Sequence, residues 1–251
     1  MNAAVLGGTP SDEVPEILAT GRSGIERIWV SMSARDPEGR DEEFLRWHTF
    51  DHRPEQHRLV SLRAEFRLIS TPACRAARVA GDIRYDPIDH VMMYCFADMA
   101  GLQSFSDLSV ALRGVGRTTY TMPPVERAVC TLGAIAAAPR IKVGADVLPW
   151  WPMHGAYVLV ERGDVVAATD LTKIDGVGGV WSTVTIPVAP VYSNAETGLQ
   201  ITCCFLDDDP AEVADRLRPA VEQRASAVGV ELLLAAPFHA VTPENVGRYL
   251  P

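Results

Sequence analysis

Residues 44–57, FLRWHTFDHRPEQH, hold three of the chain's six histidines together with a tryptophan and two carboxylates. On a regular helix, Phe44, Leu45, His48, Asp51, His52 and Glu55 fall within an arc of about 120°, with Arg46, Arg53 and His57 on the other side. Polar groups thus share the apolar face. Leaving an imidazole or carboxylate there unpaired costs about 1–3 kcal/mol each, so they must pair or line a solvated cavity. The spacing predicts two i,i+3 pairs, His48 with Asp51 and His52 with Glu55. A carboxylate beside a histidine fixes its tautomer and raises its basicity, which makes a general base near neutral pH. The expected chemistry is proton transfer, with His48 as base, Asp51 orienting it and His52 as a second donor or acceptor. Phe44, Trp47 and Glu55 are expected substrate contacts. A second reading stands beside this one: the same residues make satisfied hydrogen bonds at an interdomain or subunit seam, with no catalysis. Metal or haem binding is a third. His48 and His52 at i,i+4 would give two metal ligands, yet there is no HExxH and no third ligand nearby, so neither metal nor cofactor is expected.

Weaker candidates lie on the following strands. Arg63 and Arg67 share one face of VSLRAEFRLIS (60–70), and His90 and Tyr94 share one face of IDHVMMYCFA (88–97). If those faces line a barrel, the four side chains would bind an oxyanion or enolate. Otherwise the arginines are an outward ion-paired surface. Trp150 and Trp151, between Pro149 and Pro152, form either an aromatic lid or a hydrophobic plug at a domain joint. Gly176, Gly178 and Gly179 do not sit between a strand and a phosphate-binding helix, so no nucleotide site is expected.

The elements that must position these residues are regular from Ile25 onward. IERIWVSMS (25–33) reads as a strand, and a helix opens near Asp41, which is suited to N-cap it, with Pro54 bending or ending that helix. Strands at 60–70 and 88–97 follow, joined by a Gly/Pro/Asp-containing connection at 71–87. A helix from about 98 to 113 and a strand at 125–137 complete the order β-α-β-β-α-β, the split βαβ of ferredoxin-like units. The second half repeats it. Strands are expected at 155–162, 179–188, 198–206 and 230–237, with a short helix at 167–175 and a long one at 210–229 capped by Asp207, Asp208 and Asp209. The chain therefore divides into a leader (1–24), a first unit carrying the candidate site (25–138), a linker broken by Pro139, Gly144, Pro149 and Pro152 (139–154), a second unit (155–237) and a tail (238–251).

Composition limits the partners. A net charge of −9 and a pI near 5.1 argue against a phosphate-binding surface, so no nucleic-acid partner is expected. Cys74, Cys95, Cys130, Cys203 and Cys204 lie mostly in apolar runs, which reads as buried reduced thiols, and Cys203 and Cys204 would point to opposite faces of a strand. No apolar stretch is long enough to span a membrane and no signal segment is seen, so a cytoplasmic protein with no membrane contact is expected. A homodimer is among the expected assemblies, through exposed strand edges.

A sheet covered by helices on one face leaves the other bare, yet Met92, Tyr94 and Phe96 alternate with Val91, Met93 and Cys95, apolar on both sides. Packing two such sheets together buries the second face. In this respect residues 25–237 resemble the dimeric α+β barrel superfamily in a fused, single-chain form. The fold class expected is α+β, two fused ferredoxin-like units in a dimeric-α+β-barrel arrangement. The string EEFLRWHTFDHRPEQ further resembles the first-helix signature of EthD-like proteins, with Phe44, Trp47, His48, His52 and Pro54 matching in order. Residues 167–175 carry nothing like it, so the second unit is expected to be structural. The resemblance implies a pocket for a hydrophobic small molecule, and either an isomerase, cyclase or lyase acting on a carbonyl compound or a non-catalytic ligand-binding or oligomer-forming protein.

Overall fold

Residues 7–118 and 121–248 are described by the computed structural model. Nine strands form one antiparallel sheet: β1 Arg27–Ser33, β2 Leu62–Ile69, β3 Val79–Ala80, β4 His90–Phe96, β5 Pro124–Ala137, β6 Gly155–Gly163, β7 Val177–Thr185, β8 Gln200–Leu206 and β9 Val230–Val241. The spatial order is β2-β4-β1-β5-β7-β8-β6-β9, and β9 pairs back onto β2, so these strands close into a barrel, with the two-residue β3 outside β9. Within β2-β4-β1-β5 and within β9-β6-β8-β7, each unit's first and third strands are central, which is the ferredoxin-like order. The halves join twice by the same rule, the last strand of one unit against the second strand of the other, as β5–β7 and β9–β2. The molecule is thus an α+β barrel of two fused ferredoxin-like units.

All seven residues of β4 are buried because alternate side chains serve different layers. Val91, Met93 and Cys95 point into the barrel with Met32, Phe66, Trp181, Phe205 and Phe238. Met92, Tyr94 and Phe96 face outward beneath helix α5 (Ala100–Gly114), against Leu102 and Phe105; α5 is here numbered after α1 (Pro15–Ala19), α2 (Asp41–Trp47), α3 (Arg53–Gln56) and α4 (Pro72–Ala77). In the second unit, α6 (Pro210–Ala225) lays Val213, Leu217 and Val221 on Tyr157, Leu159, Cys204 and Leu206. Asp209 caps it, accepting from the amides of Ala211 and Glu212 at 2.9 and 3.3 Å. The expected helix at 167–175 is a 3-10 turn, Thr169–Lys173, whose Leu171 fills the layer above the sheet. All five cysteines are buried and free, Cys203 inside the barrel and Cys204 under α6.

The connection expected at 71–87 holds α4 and β3, and the expected boundaries at both ends of the chain shift. The tail expected from 238 begins as strand: His239, Ala240 and Val241 pair with Ile69, Leu68 and Arg67 and close the barrel. Pro237 lies between the residues that pair with β3 and those that pair with β2, a gap in the outer ladder of β9 where proline is tolerated. The residues of the expected leader that are described lie along the connection between the units. Ala145 donates its amide to Asp12 at 2.9 Å, and Ser23 donates to Asp146 at 2.7 Å. That connection plugs one end of the barrel with Ile141, Ala145 and Leu148, and the buried Trp181 indole donates to the Ala145 carbonyl at 2.6 Å. Trp151 packs against the same core while Trp150 is half exposed, an arrangement closer to a plug than to a lid.

Candidate functional site

The helix over 41–56 is not uniform. Helix α2 runs into a π turn, His48–His52, and continues as α3. Pro54 has no amide proton to give the carbonyl one α-turn earlier, and the wider turn just before it lets the helix pass through instead of ending. A π turn inserts one extra residue, which rotates everything after it by about 100° relative to a regular wheel. The faces change accordingly. Gln56 and Arg53 turn toward the sheet, where Arg53 donates to Glu65 at 2.8 Å. Asp51 and Glu55 turn outward and share Arg117, at 2.9 and 2.8 Å. The pairs expected from spacing, His48 with Asp51 and His52 with Glu55, are therefore not formed, and neither carboxylate lines the cavity described below.

His48 is instead held from the sheet. The Arg67 Nε donates to its Nδ1 at 3.4 Å, and its Nε2 lies 3.1 Å from the Tyr94 hydroxyl. With Nδ1 accepting, the ring proton is on Nε2 and is donated to Tyr94. Burial, and then the charge of Arg67, keep His48 well below its ordinary range, so it is neutral. Burial pushes the Tyr94 hydroxyl up to about 12 and Arg67 down to about 10, which leaves the first neutral and the second charged at neutral pH. His52 stacks on Trp47, ring centroids 4.7 Å apart, and makes no hydrogen bond among the described residues, its Nδ1 being buried without a partner. Burial and Arg67 lower it to about 4.

The other expected site residues separate. Phe44 lies under the Arg67 guanidinium, 5.0 Å from its centre, and Trp47 donates its indole N–H to the Arg117 carbonyl at 2.8 Å. His90 shares the outer face of β4 with Tyr94 but is sealed against Asp41, Nε2 to Oδ1 at 2.7 Å. Asp41 is thus no N-cap: it lies inside the helix's first turn, and although burial opposes its ionisation, the His90 hydrogen bond holds it below the usual carboxylate range. Arg63 does not share a face with Arg67. A register shift between Leu62 and Ala64 sets the first part of β2 out of step, leaving Arg63 exposed and placing Leu62 with the outward side chains.

Between this helix, α5 and the outer face of the first unit's sheet is a cavity of about 410 Å³, within the ~300–1,000 Å³ range of small-molecule sites. Trp29, Ser31, Met92 and Tyr94 form its floor, with Trp29 and Tyr94 stacked at 5.5 Å. His48, His52 and Trp47 form one wall and Phe105, Val110 and Arg113 of α5 another. The second unit contributes Val191 and Tyr192 from the 186–199 loop, fixed by a 2.8 Å bond from the Trp29 indole to the Tyr192 carbonyl. Trp29 was recoverable from sequence, since alternation in β1 sets Trp29, Ser31 and Ser33 opposite the buried Ile28, Val30 and Met32. Arg113, Arg127 and Tyr192 carry no sequence signal of the site.

The closed ring of two ferredoxin-like units defines a dimeric-α+β-barrel-type protein built from one chain. No family model matches it, and no curated protein matches at a significant level. Among solved structures it is similar to an anthrone oxidase-like protein (10% identity, TM-score 0.41, covering 92% of this chain and 98% of that one). It is also similar to a chlorite dismutase candidate (10%, 0.48, covering 90% and 100%). A monooxygenase candidate from Lactobacillus acidophilus is a third (10%, 0.40, covering 86% and 95%). No helix among the described residues is long and apolar enough to cross a membrane. Both ring nitrogens of His48 are engaged by protein groups.

Proposed function

We propose that the cavity binds a hydrophobic carbonyl compound and moves a proton on it, as an isomerase, cyclase or lyase without a bound cofactor would. The observation that supports this is the neutral, partnerless His52 in the same cavity lining as a Tyr94 hydroxyl held by His48. In this reading His52 takes a proton from the carbon next to the carbonyl. Tyr94 donates to the oxygen as negative charge develops there, a contribution that grows in a dry, aromatic-walled site. His48 takes no proton; with both nitrogens engaged, it is a positioning residue for Tyr94. Asp51 has no part in the chemistry. The floor rings of Trp29 and Tyr94 and the Phe105 ring of the α5 wall supply the apolar contacts for a flat substrate body.

Deuterium exchange at the α-carbon of 1-tetralone in D2O, followed by NMR, tests the reading without knowledge of the natural substrate. The wild-type protein is expected to accelerate exchange, and His52→Ala to lower the protein-dependent rate by about 100-fold or more, the usual worth of a positioned base. Tyr94→Phe is expected to slow it as well. If tetralone binds and its exchange is not accelerated, the cavity is a ligand-binding site without proton-transfer catalysis, and the second expectation from sequence takes its place.

A further inference from the structure

We infer that the ligand of this cavity is an anion, an aromatic carboxylate whose ring lies on the tryptophan floor and whose charge meets Arg67. The inference rests on the cavity being the ligand site and adds the chemical class of what enters it. Arg67 is only 6% exposed and lines the cavity. No carboxylate among the described residues lies within ion-pair distance of it. Glu65, its neighbour on the same face of β2, gives its Oε1 to Arg53 at 2.8 Å and to His57 at 3.6 Å, leaves its Oε2 buried without a hydrogen-bond partner, and acts on Arg67 only through space. What Arg67 does touch is uncharged: the His48 ring, the Tyr94 hydroxyl and the face of Phe44. A buried cation with no carboxylate in contact is unfavourable, and proteins keep such a group where a ligand completes it.

Two further arginines point to the same charge. Arg127 lines the cavity with its Nε buried and unpartnered, and Arg113 stands at the α5 wall; neither forms an ion pair among the described residues. No aspartate or glutamate is found among the described residues that line the cavity, although the chain has 32 acidic residues against 23 basic ones. The two carboxylates best placed by sequence, Asp51 and Glu55, are rotated away by the π turn and closed onto Arg117. The wall is therefore positive in a negative protein. Guanidinium groups match a carboxylate in shape as well as charge, since the planar fork can donate two parallel bonds. A substrate of this class carries its carboxylate apart from the carbonyl on which His52 and Tyr94 act.

Calorimetric titration with 2-naphthoate and with its neutral isostere 2-naphthamide tests the inference. The acid is expected to bind at least tenfold more tightly than the amide, against the opposing net charge of the chain. Arg67→Met should bring the acid down to the affinity of the amide. Because Arg67 is buried, Arg127→Gln provides a second variant at a less enclosed position, expected to narrow the preference severalfold with circular dichroism unchanged. Equal affinity for acid and amide in the wild type would overturn the anion inference and leave the cavity as a ligand site, as would a preference that survives both substitutions. Binding of neither compound by folded protein would sink the ligand-site reading together with it.

Discussion

At the scale of single residues, the site is defined by which groups are kept uncharged. His52 is lowered to about 4 from an ordinary value of 6.5, so at neutral pH its ring is uncharged, with one N–H and one free lone pair. Protein-dependent tetralone exchange should therefore stay level as pH falls through 6.5 and decline only as pH approaches 4. A decline centred near 6.5 would show an ordinary histidine and would count against His52. The same displacement has a stability consequence. Between the two values the unfolded chain holds the proton and the folded chain does not, so stability is full above about 6.5 and is lost as pH falls toward 4. The interval corresponds to at most about 3 kcal/mol. Glu65, pushed up by burial, acts with the opposite sign, so the informative comparison is between proteins. Urea midpoints at pH 7 and pH 4.5 should differ less in His52→Gln than in the wild type. Asp51 gives a contrast: spacing made it the orienting carboxylate, and the structure has it outside, half exposed on Arg117. Asp51→Asn should leave tetralone exchange within about twofold of wild type, since surface ion pairs contribute little; a large loss would restore the His48–Asp51 pair as the working unit.

Among elements, the decisive one is the five-residue turn His48–His52. It allows His48, His52, Arg53 and Gln56 all to serve the inner side of one helix while Asp51 and Glu55 face Arg117. Phe50, at 53% exposed, occupies the outer side of this turn. Deleting Phe50 should convert the turn to a regular one and swing α3 back, separating Arg53 from Glu65. Leaving that buried carboxylate unpaired costs about 3–5 kcal/mol, so a large drop in urea midpoint is expected together with loss of naphthoate binding. A deletion that unfolds and binds like the wild type would mean that the π turn does not set the faces. This element also shows how far the sequence could be read. The histidine helix was legible from its residue types, and its cavity-facing members His48 and His52 follow from the wheel. Their partners were not legible, because one extra residue in a turn costs little locally and reassigns every later contact.

For the whole molecule, barrel closure within one chain matters most. Eight strands form a ring, and the edges that suggested a homodimer meet within the chain at β5–β7 and, over Arg67–Ile69 and His239–Val241, at β9–β2. A ring closed within one chain predicts folding without a partner. The urea midpoint is accordingly expected not to change with protein concentration, and a midpoint that rises with concentration would show that a second subunit completes the fold. Closure also makes the two units unequal: α5 and the histidine helix stand off their sheet around a cavity, while α6 and Leu171 fill the matching layer of the second unit.

The sequence by itself determined the element order, the duplication, the need to bury both faces of each sheet, and the helix on which the unusual side chains lie. These follow from short-range periodicity, from proline and glycine placement, and from the requirement that apolar surface leave water. Only the tertiary structure decided the pairing of His48 with Arg67 and Tyr94, the removal of Asp51 and Glu55 from the site, the gathering of Arg67, Arg113 and Arg127, and the arrival of Tyr192 from the other unit. Each of those depends on contacts between residues far apart in the chain, or on a helical phase that a π turn shifts, and neither leaves a periodic mark in the sequence.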